Sequence, residues 1–228
     1  MKRLLPAIIF SIAAANAAPV PVNSPVDHLF VPMGFDNNDN VELLVSGTFP
    51  NPCYSRNKVE VQVKEDVIDV TVTALLNKKD KECSPMEVPY MENITIGNLQ
   101  AGDYTVHVNN KIQEKLAITE ASSNSVDDHL YAMMDYIDLG FTGGASGDAF
   151  LIGKTTDCLA FDKVEYVSNG KDTLSVLPIM KKISPTCSGE KKFLSIPIKF
   201  NPQDFAFNKL VLFVRTMDGK SINTLVEK

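Results

Sequence analysis

Four cysteines are the residues best suited to chemistry in this 228-residue chain, and they fall into two pairs of nearly equal spacing. Cys53 and Cys83 lie 30 positions apart, Cys158 and Cys187 lie 29 apart. Zinc sites use close pairs such as C-x2-C, and none occurs here. A cysteine nucleophile needs a base beside it, and His28, His107 and His129 are the only histidines. The spacing therefore predicts two disulfides, Cys53–Cys83 and Cys158–Cys187, with no metal or cofactor attached to them.

Other groupings carry less chemistry. Asp36-Asn37-Asn38-Asp39-Asn40 opens like a D-x-[DN]-x-[DN] calcium loop but lacks the glycine and distant glutamate that complete one, so it reads as a turn. Gly143-Gly144-Ala145-Ser146-Gly147 fits neither the G-x-S-x-G elbow nor a phosphate-binding loop. His28 and His129 each follow an aspartate at what read as equivalent places in a duplicated chain, and no spacing assembles a triad around them. A carboxylate pair drawn from the 28 acidic residues stays open as acid–base machinery. Asn93-Ile94-Thr95 is a glycosylation sequon, relevant only in a cell that glycosylates.

The elements that position these residues repeat. Four residues after the first cysteine of each pair stands a similar run, Asn57-Lys58-Val59-Glu60-Val61 and Asp162-Lys163-Val164-Glu165-Tyr166. Before each pair an apolar run ends in glycine, at Gly47 and Gly153. Between the cysteines lie strand-like runs, Ile68 to Val72 and Leu174 to Leu177. A period near 100 residues indicates domain duplication, since solenoid repeats are shorter. Short alternating runs recur through both halves, with hairpin turns expected at Asn109-Asn110 and Asp218-Gly219. Leu130, Met133, Met134 and Ile137 fit a helix capped by Ser125. The earlier echo, His28 to Met33, carries Pro32 and favours a strand.

Leu99, Gly102, Tyr104 and Val106 form a Leu-x-x-Gly-x-Tyr-x-Val stretch that resembles the tyrosine corner of immunoglobulin-like and fibronectin-like sandwiches. The resemblance implies a fold and no function. Antibody-type domains set their cysteines about twice as far apart around a tryptophan, and this chain has no tryptophan. The expected architecture is all-β: two tandem immunoglobulin-like β-sandwich domains, residues 26–119 and 126–228, each with one internal disulfide. A polar linker, Thr119 to Val126, lies between them.

Lys2 and Arg3, the apolar run Leu4 to Ala15 and Ala15-Asn16-Ala17 read as a signal peptide over residues 1–17. The apolar run falls short of the roughly 20 residues a spanning helix needs, so the mature chain is expected in the periplasm or outside the cell, where disulfides persist. The net charge of −6, with scattered lysines, excludes nucleic acid as a partner. A non-catalytic binding or structural protein is the leading expectation, its protein or glycan partner unknown. Binding is expected at Phe141, Gly143, Gly144, Ser146 and Asp148 and at the aromatic run of Phe205 and Phe207. The alternatives are a hydrolase with carboxylates between the domains, or a protease inhibitor presenting the Phe141 to Asp148 loop.

Overall fold

The computed structural model describes residues 18–77, 83–123, 127–140, 143 and 145–227; the expected leader lies outside them, as does Ser125. Strands β1 (Val20–Asn23), β2 (His28–Phe30), β3 (Phe35–Asp36), β4 (Val41–Phe49), β5 (Tyr54–Lys64), β6 (Val67–Leu76), β7 (Val88–Gly97), β8 (Gly102–Val108) and β9 (Ile112–Thr119) build the first sandwich. Its sheet I runs β5-β6-β8-β9-β3, with β1 on the far half of β6; its sheet II runs β2-β4-β7. Strands β10 (Leu130–Tyr131), β11 (Met133–Asp138), β12 (Asp148–Thr156), β13 (Leu159–Ser168), β14 (Thr173–Lys182), β15 (Lys191–Lys199), β16 (Lys209–Thr216) and β17 (Lys220–Glu227) build the second. Sheet III runs β13-β14-β16-β17, with β10 on β14, and sheet IV runs β11-β12-β15. No α-helix occurs among the described residues, and 130–138 is extended, as the two strands β10 and β11.

The duplication is exact enough to repeat irregularities. Each sandwich sets a parallel pair at the same place in an otherwise mostly antiparallel sheet, β6 with β8 and β14 with β16, and the first adds a short one, β3 with β9. Both edge strands bulge in the repeated Lys-Val-Glu run, between Arg56 and Val59 and between Phe161 and Lys163. Lys58 and Glu60 pair at 2.6 Å, Lys163 and Glu165 at 2.5 Å, two residues apart on one face of the strand. A bulged, charged edge resists pairing with a second chain, which gives the repeated run its structural role. The disulfides Cys53–Cys83 and Cys158–Cys187 each tie the turn before the bulged strand to the connection after its hairpin partner, with Cα atoms 5.9 and 4.9 Å apart.

Gly47 and Gly153 stand where the leading segment of each sandwich crosses from one sheet to the other. A Cβ on Gly47 would lie 2.0 Å from the carbonyl oxygen of Pro25, and one on Gly153 would lie 2.0 Å from that of Met133. Only hydrogen fits under the crossing chain. The same crossing corrects the expected equivalence of His28 and His129. His28–Phe30 pairs with β4 in sheet II, whereas Leu130–Tyr131 pairs with β14 in sheet III. The true counterpart of β2 is β11, and the shared Asp-His-Leu text falls on opposite sides of the crossing.

Both hairpin turns form as the residue types require, with positive φ at Asn109 and Asn110 and at Asp218 and Gly219. Tyr104 closes the corner by donating its hydroxyl hydrogen to the carbonyl of Gln100, at 3.0 Å.

The two sandwiches are joined face to face through a common wall. Along β16, Leu210, Leu212 and Val214 enter the second core, while Val211 and Phe213 on the other face enter the first. Strand β4 of sheet II is buried on both faces to receive them, with Leu43 and Leu44 both fully covered. The layers therefore follow the order I, II, III, IV, with sheet III serving two cores. Strands buried on both faces lose their alternation, and the Leu-Val-Leu-Phe-Val run of β16 does so.

Candidate functional site

The outward faces of the stack differ in chemistry. On sheet I, the residues pointing away from the core include Lys58, Glu60, Gln62, Thr71, Gln113 and Lys115, an ordinary solvated face. On sheet IV the register brings Tyr136 beside Ile152 and Ser195, Phe150 beside Asp138 and Pro197, and Phe193 beside Lys154. Phe193 is 75 % exposed, Tyr136 55 % and Phe150 46 %. The opposite face of the same strands fills the second core with Met134, Leu151, Ile196 and Ile198. Asp138, Asp148 and Lys199 stand at one end of the outward face; Lys154 and Lys191 stand at the other.

Polar groups close both ends of the seam between sheets II and III. At one end His28 Nε2 contacts Asp172 Oδ2 at 2.7 Å, and Asp172 also accepts from Asn169 and Thr173 at 2.8 Å each. Burial works to raise the Asp172 pKa, but the hydrogen bonds from His28, Asn169 and Thr173 outweigh it and hold the carboxyl below its usual value. Phe207 lies 4.8 Å from the His28 ring, and Lys171 Nζ sits 5.4 Å over the Phe207 ring while pairing with Glu114. A groove of about 640 Å³ runs past Leu29, Met33, Glu114 and Lys171.

At the other end Arg215 Nη2 meets Asp39 Oδ2 at 2.5 Å, Nη1 donates to the Tyr131 hydroxyl at 3.1 Å, and the guanidinium lies 4.6 Å from the Phe35 ring centroid. Burial pushes the Tyr131 hydroxyl up to about 12, against the opposing pull of Arg215. Asp36, Asp127 and Asp128 surround this pair. Burial and then the Asp39 charge raise Asp36 to about 6, and burial raises Asp127. Hydrogen bonds from Ser122, Asn38 and Ser123 hold Asp128 well below the ordinary range.

These carboxylates serve the backbone. Asp36 accepts from the amide of Asn38 at 3.2 Å and Asp39 from that of Asp36 at 2.8 Å, while Asp127 accepts from the amide of His129 at 3.2 Å. The expected turn at Asp36 to Asn40 is thus present, and it also reaches across the seam: Asn38 donates to Asp128 at 3.1 Å and Asn40 to the Gly219 carbonyl at 3.2 Å. Among the described residues no group of three or more histidines, cysteines or acids is arranged to hold a metal ion.

The residues expected from the sequence to bind separate into three places. Gly143, Ser146 and Asp148 are exposed at the end of sheet IV, where Gly147 backs onto the carbonyl of Phe200. Phe141 and Gly144 lie outside the described residues. Phe205 is 6 % exposed and belongs to the second core, so it drops out as a contact residue; its apolar ring found a better place between sheets III and IV than in water. Phe207 stays 41 % exposed, but at the seam beside His28, remote from the glycine-rich loop. Tyr136, Phe150 and Phe193 escaped the sequence reading. Their signal was the presence of apolar residues at successive outward positions of a strand expected to alternate, Phe150 and Ile152 in β12.

The chain is a two-sandwich all-β protein with a disulfide in each half. Its first half is similar to a known family: residues 43–118, from β4 to the end of β9, match the ORF11 beta-sandwich domain. No curated protein and no solved structure matches the chain. No described helix is long and apolar enough to cross a membrane.

Proposed function

We propose that this is an exported, non-catalytic binding protein whose recognition surface is the outward face of sheet IV with the adjoining loop residues Gly143, Ser146 and Asp148. The observation that carries the reading is the contrast between the two outward faces. Sheet I presents charges and threonines, while sheet IV presents Tyr136, Phe150 and Phe193 to solvent. Exposed apolar patches rimmed by polar groups mark interaction sites, and a rigid four-layer stack presents such a patch without an ordering cost on binding. Export is supported by the charged and apolar leader and by two disulfides.

The hydrolase alternative draws on the raised pKa of Asp36 beside Asp39 and Asp128. What weighs against it is the engagement of each carboxylate with backbone amides, serine hydroxyls or Arg215. The test uses the full chain and a Phe150→Ser/Phe193→Ser variant, immobilised and exposed to the native exported fraction, with Asp36→Asn assayed against a hydrolase panel. The wild type should retain a partner that the double variant loses. Equal retention by both, or hydrolysis that Asp36→Asn abolishes, ends the reading.

A further inference from the structure

We propose that the free edge of β9 is a second binding site, which takes an extended segment of another protein as an added strand with an acidic residue beside Lys115. Sheet I ends on β9, and β3 covers only the last part of that edge, pairing Phe35 with Ile118 and Asp36 with Thr119. The Asn37 amide donates to the Thr119 carbonyl at 3.0 Å, which fixes the side to which each β9 backbone group points. Ile112, Glu114, Leu116 and Ile118 bond to β8, while Gln113, Lys115 and Ala117 turn toward the edge. The parallel ladder gives the Ala117 carbonyl to Phe35. The amides of Gln113, Lys115 and Ala117 and the carbonyls of Gln113 and Lys115 have no protein partner among the described residues. Such a row is a template for one more strand.

The edge borders the groove of about 640 Å³. Leu29, Val31 and Met33 line this groove together with Asn169, Lys171 and Asp172 of the second sandwich. With the second sandwich beside it, the edge admits a single extended strand and obstructs the edge of another folded sheet. β9 also lacks devices that protect other edges: it has neither the bulge of β5 and β13 nor a proline such as Pro197 of β15. Its inward charge, Glu114, is already paired with Lys171.

Alternation sets the chemistry of the occupant. Side chains of the added strand opposite Gln113 and Lys115 stand on the outward face, and those opposite Glu114 and Leu116 turn into the groove, toward Leu29 and Met33. The inward positions therefore suit apolar residues. On the outward face Lys115 has no carboxylate partner among the described residues; its Nζ donates to the Thr105 hydroxyl at 2.6 Å. An acid opposite Lys115 supplies the missing charge, a cross-strand pairing worth up to about fivefold in affinity. The five residues Gln113 to Ala117 span about 14 Å, so the segment is short and the binding is weak and reversible.

The test is fluorescence anisotropy, with the full chain titrated from about 1 to 500 µM into a labelled, end-blocked peptide of about eight residues that alternates valine and aspartate. The wild type should bind it, and should bind the valine–lysine alternative about fivefold more weakly. A strand directs its amides to opposite sides on successive residues. N-methylating the valines alone, or the aspartates alone, should therefore abolish binding in one case and spare it in the other. Gln113→Pro removes an edge amide outside the β8 ladder and should weaken binding about tenfold, whereas Gln113→Ala should leave it unchanged. Lys115→Glu should reverse the preference between the two peptides, with circular dichroism and thermal melts confirming that each variant is folded. Loss with both methylated peptides or with neither, or binding that Gln113→Pro and Lys115→Glu leave unchanged, overturns the site. Self-association of the free chain that Gln113→Pro abolishes makes a second copy the occupant and overturns the partner segment. None of these measurements touches Phe150 or Phe193, so the reading of sheet IV stands or falls on its own test.

Discussion

Removing Asp39 should loosen the seam between the sandwiches more than any other single polar change. Arg215 is 6 % exposed and Asp39 5 %, so Asp39→Ala leaves a guanidinium in the interior with only the Tyr131 hydroxyl and the Phe35 ring for company. Breaking a buried pair from one side costs about 3–5 kcal/mol. For a chain of this size that lowers the thermal midpoint by roughly 6–20 °C. Asp39→Ala/Arg215→Met removes both charges and should cost much less than the two single changes together. It does not return to zero, because the Asp36 amide loses its acceptor at a cost of about 1–3 kcal/mol. Urea unfolding of the four proteins gives the coupling, expected at about 2 kcal/mol or more. Additive single changes of under ~1 kcal/mol would falsify the view that each of these buried charges depends on the other for its compensation.

Asp36 has a folded-state pKa raised to about 6 from 3.8, so folding favours its protonated form and stability should rise as pH falls from about 6 toward 4. Asp36→Asn should therefore raise the midpoint at pH 7.5 and leave it unchanged at pH 4; the opposite order would contradict the assigned environment. Serine replacement of Cys53 and Cys83, or of Cys158 and Cys187, opens a loop of 30 or 29 residues and should cost ~3.5 kcal/mol by loop entropy, measured by denaturant titration under oxidising conditions. Expressed alone, residues 126–228 should fail to give a cooperative unfolding transition, because Val211 and Phe213 lose the core that covers them; a sharp melt from the isolated fragment would count against the shared wall.

Much of the fold was legible because it rests on local chemistry. Cysteine spacing fixed both bridges, Asn109-Asn110 and Asp218-Gly219 announced their turns, and the spacing of Leu99, Gly102 and Tyr104 located the corner. The joining of the two halves was not legible in the same way. The polar run after Thr119 reads as a linker between independent units, and nothing local says that β16 will be covered twice. The clue lay in its unbroken apolar run closed by Arg215, a charge that tertiary structure buries against Asp39, 176 positions away. The Asp-His-Leu echo misled for the converse reason: similar local text came to rest on opposite sides of a sheet crossing, which only the pairing partners decide.

The shared wall also sets the order in which the chain can mature during synthesis. Strands β1–β9 leave the ribosome first, yet their core includes Val211 and Phe213, made some 95 positions after Ile118. At about 5–20 residues per second the early half waits on the order of 5–20 s for the strand that completes it. During that wait Leu44 and Phe30 have no cover, and the contacts that will supply it are among the most distant in the sequence, the kind that close slowly. A chain so arranged stays unfinished, and open to any factor that holds unfolded polypeptide, until its last hairpin emerges.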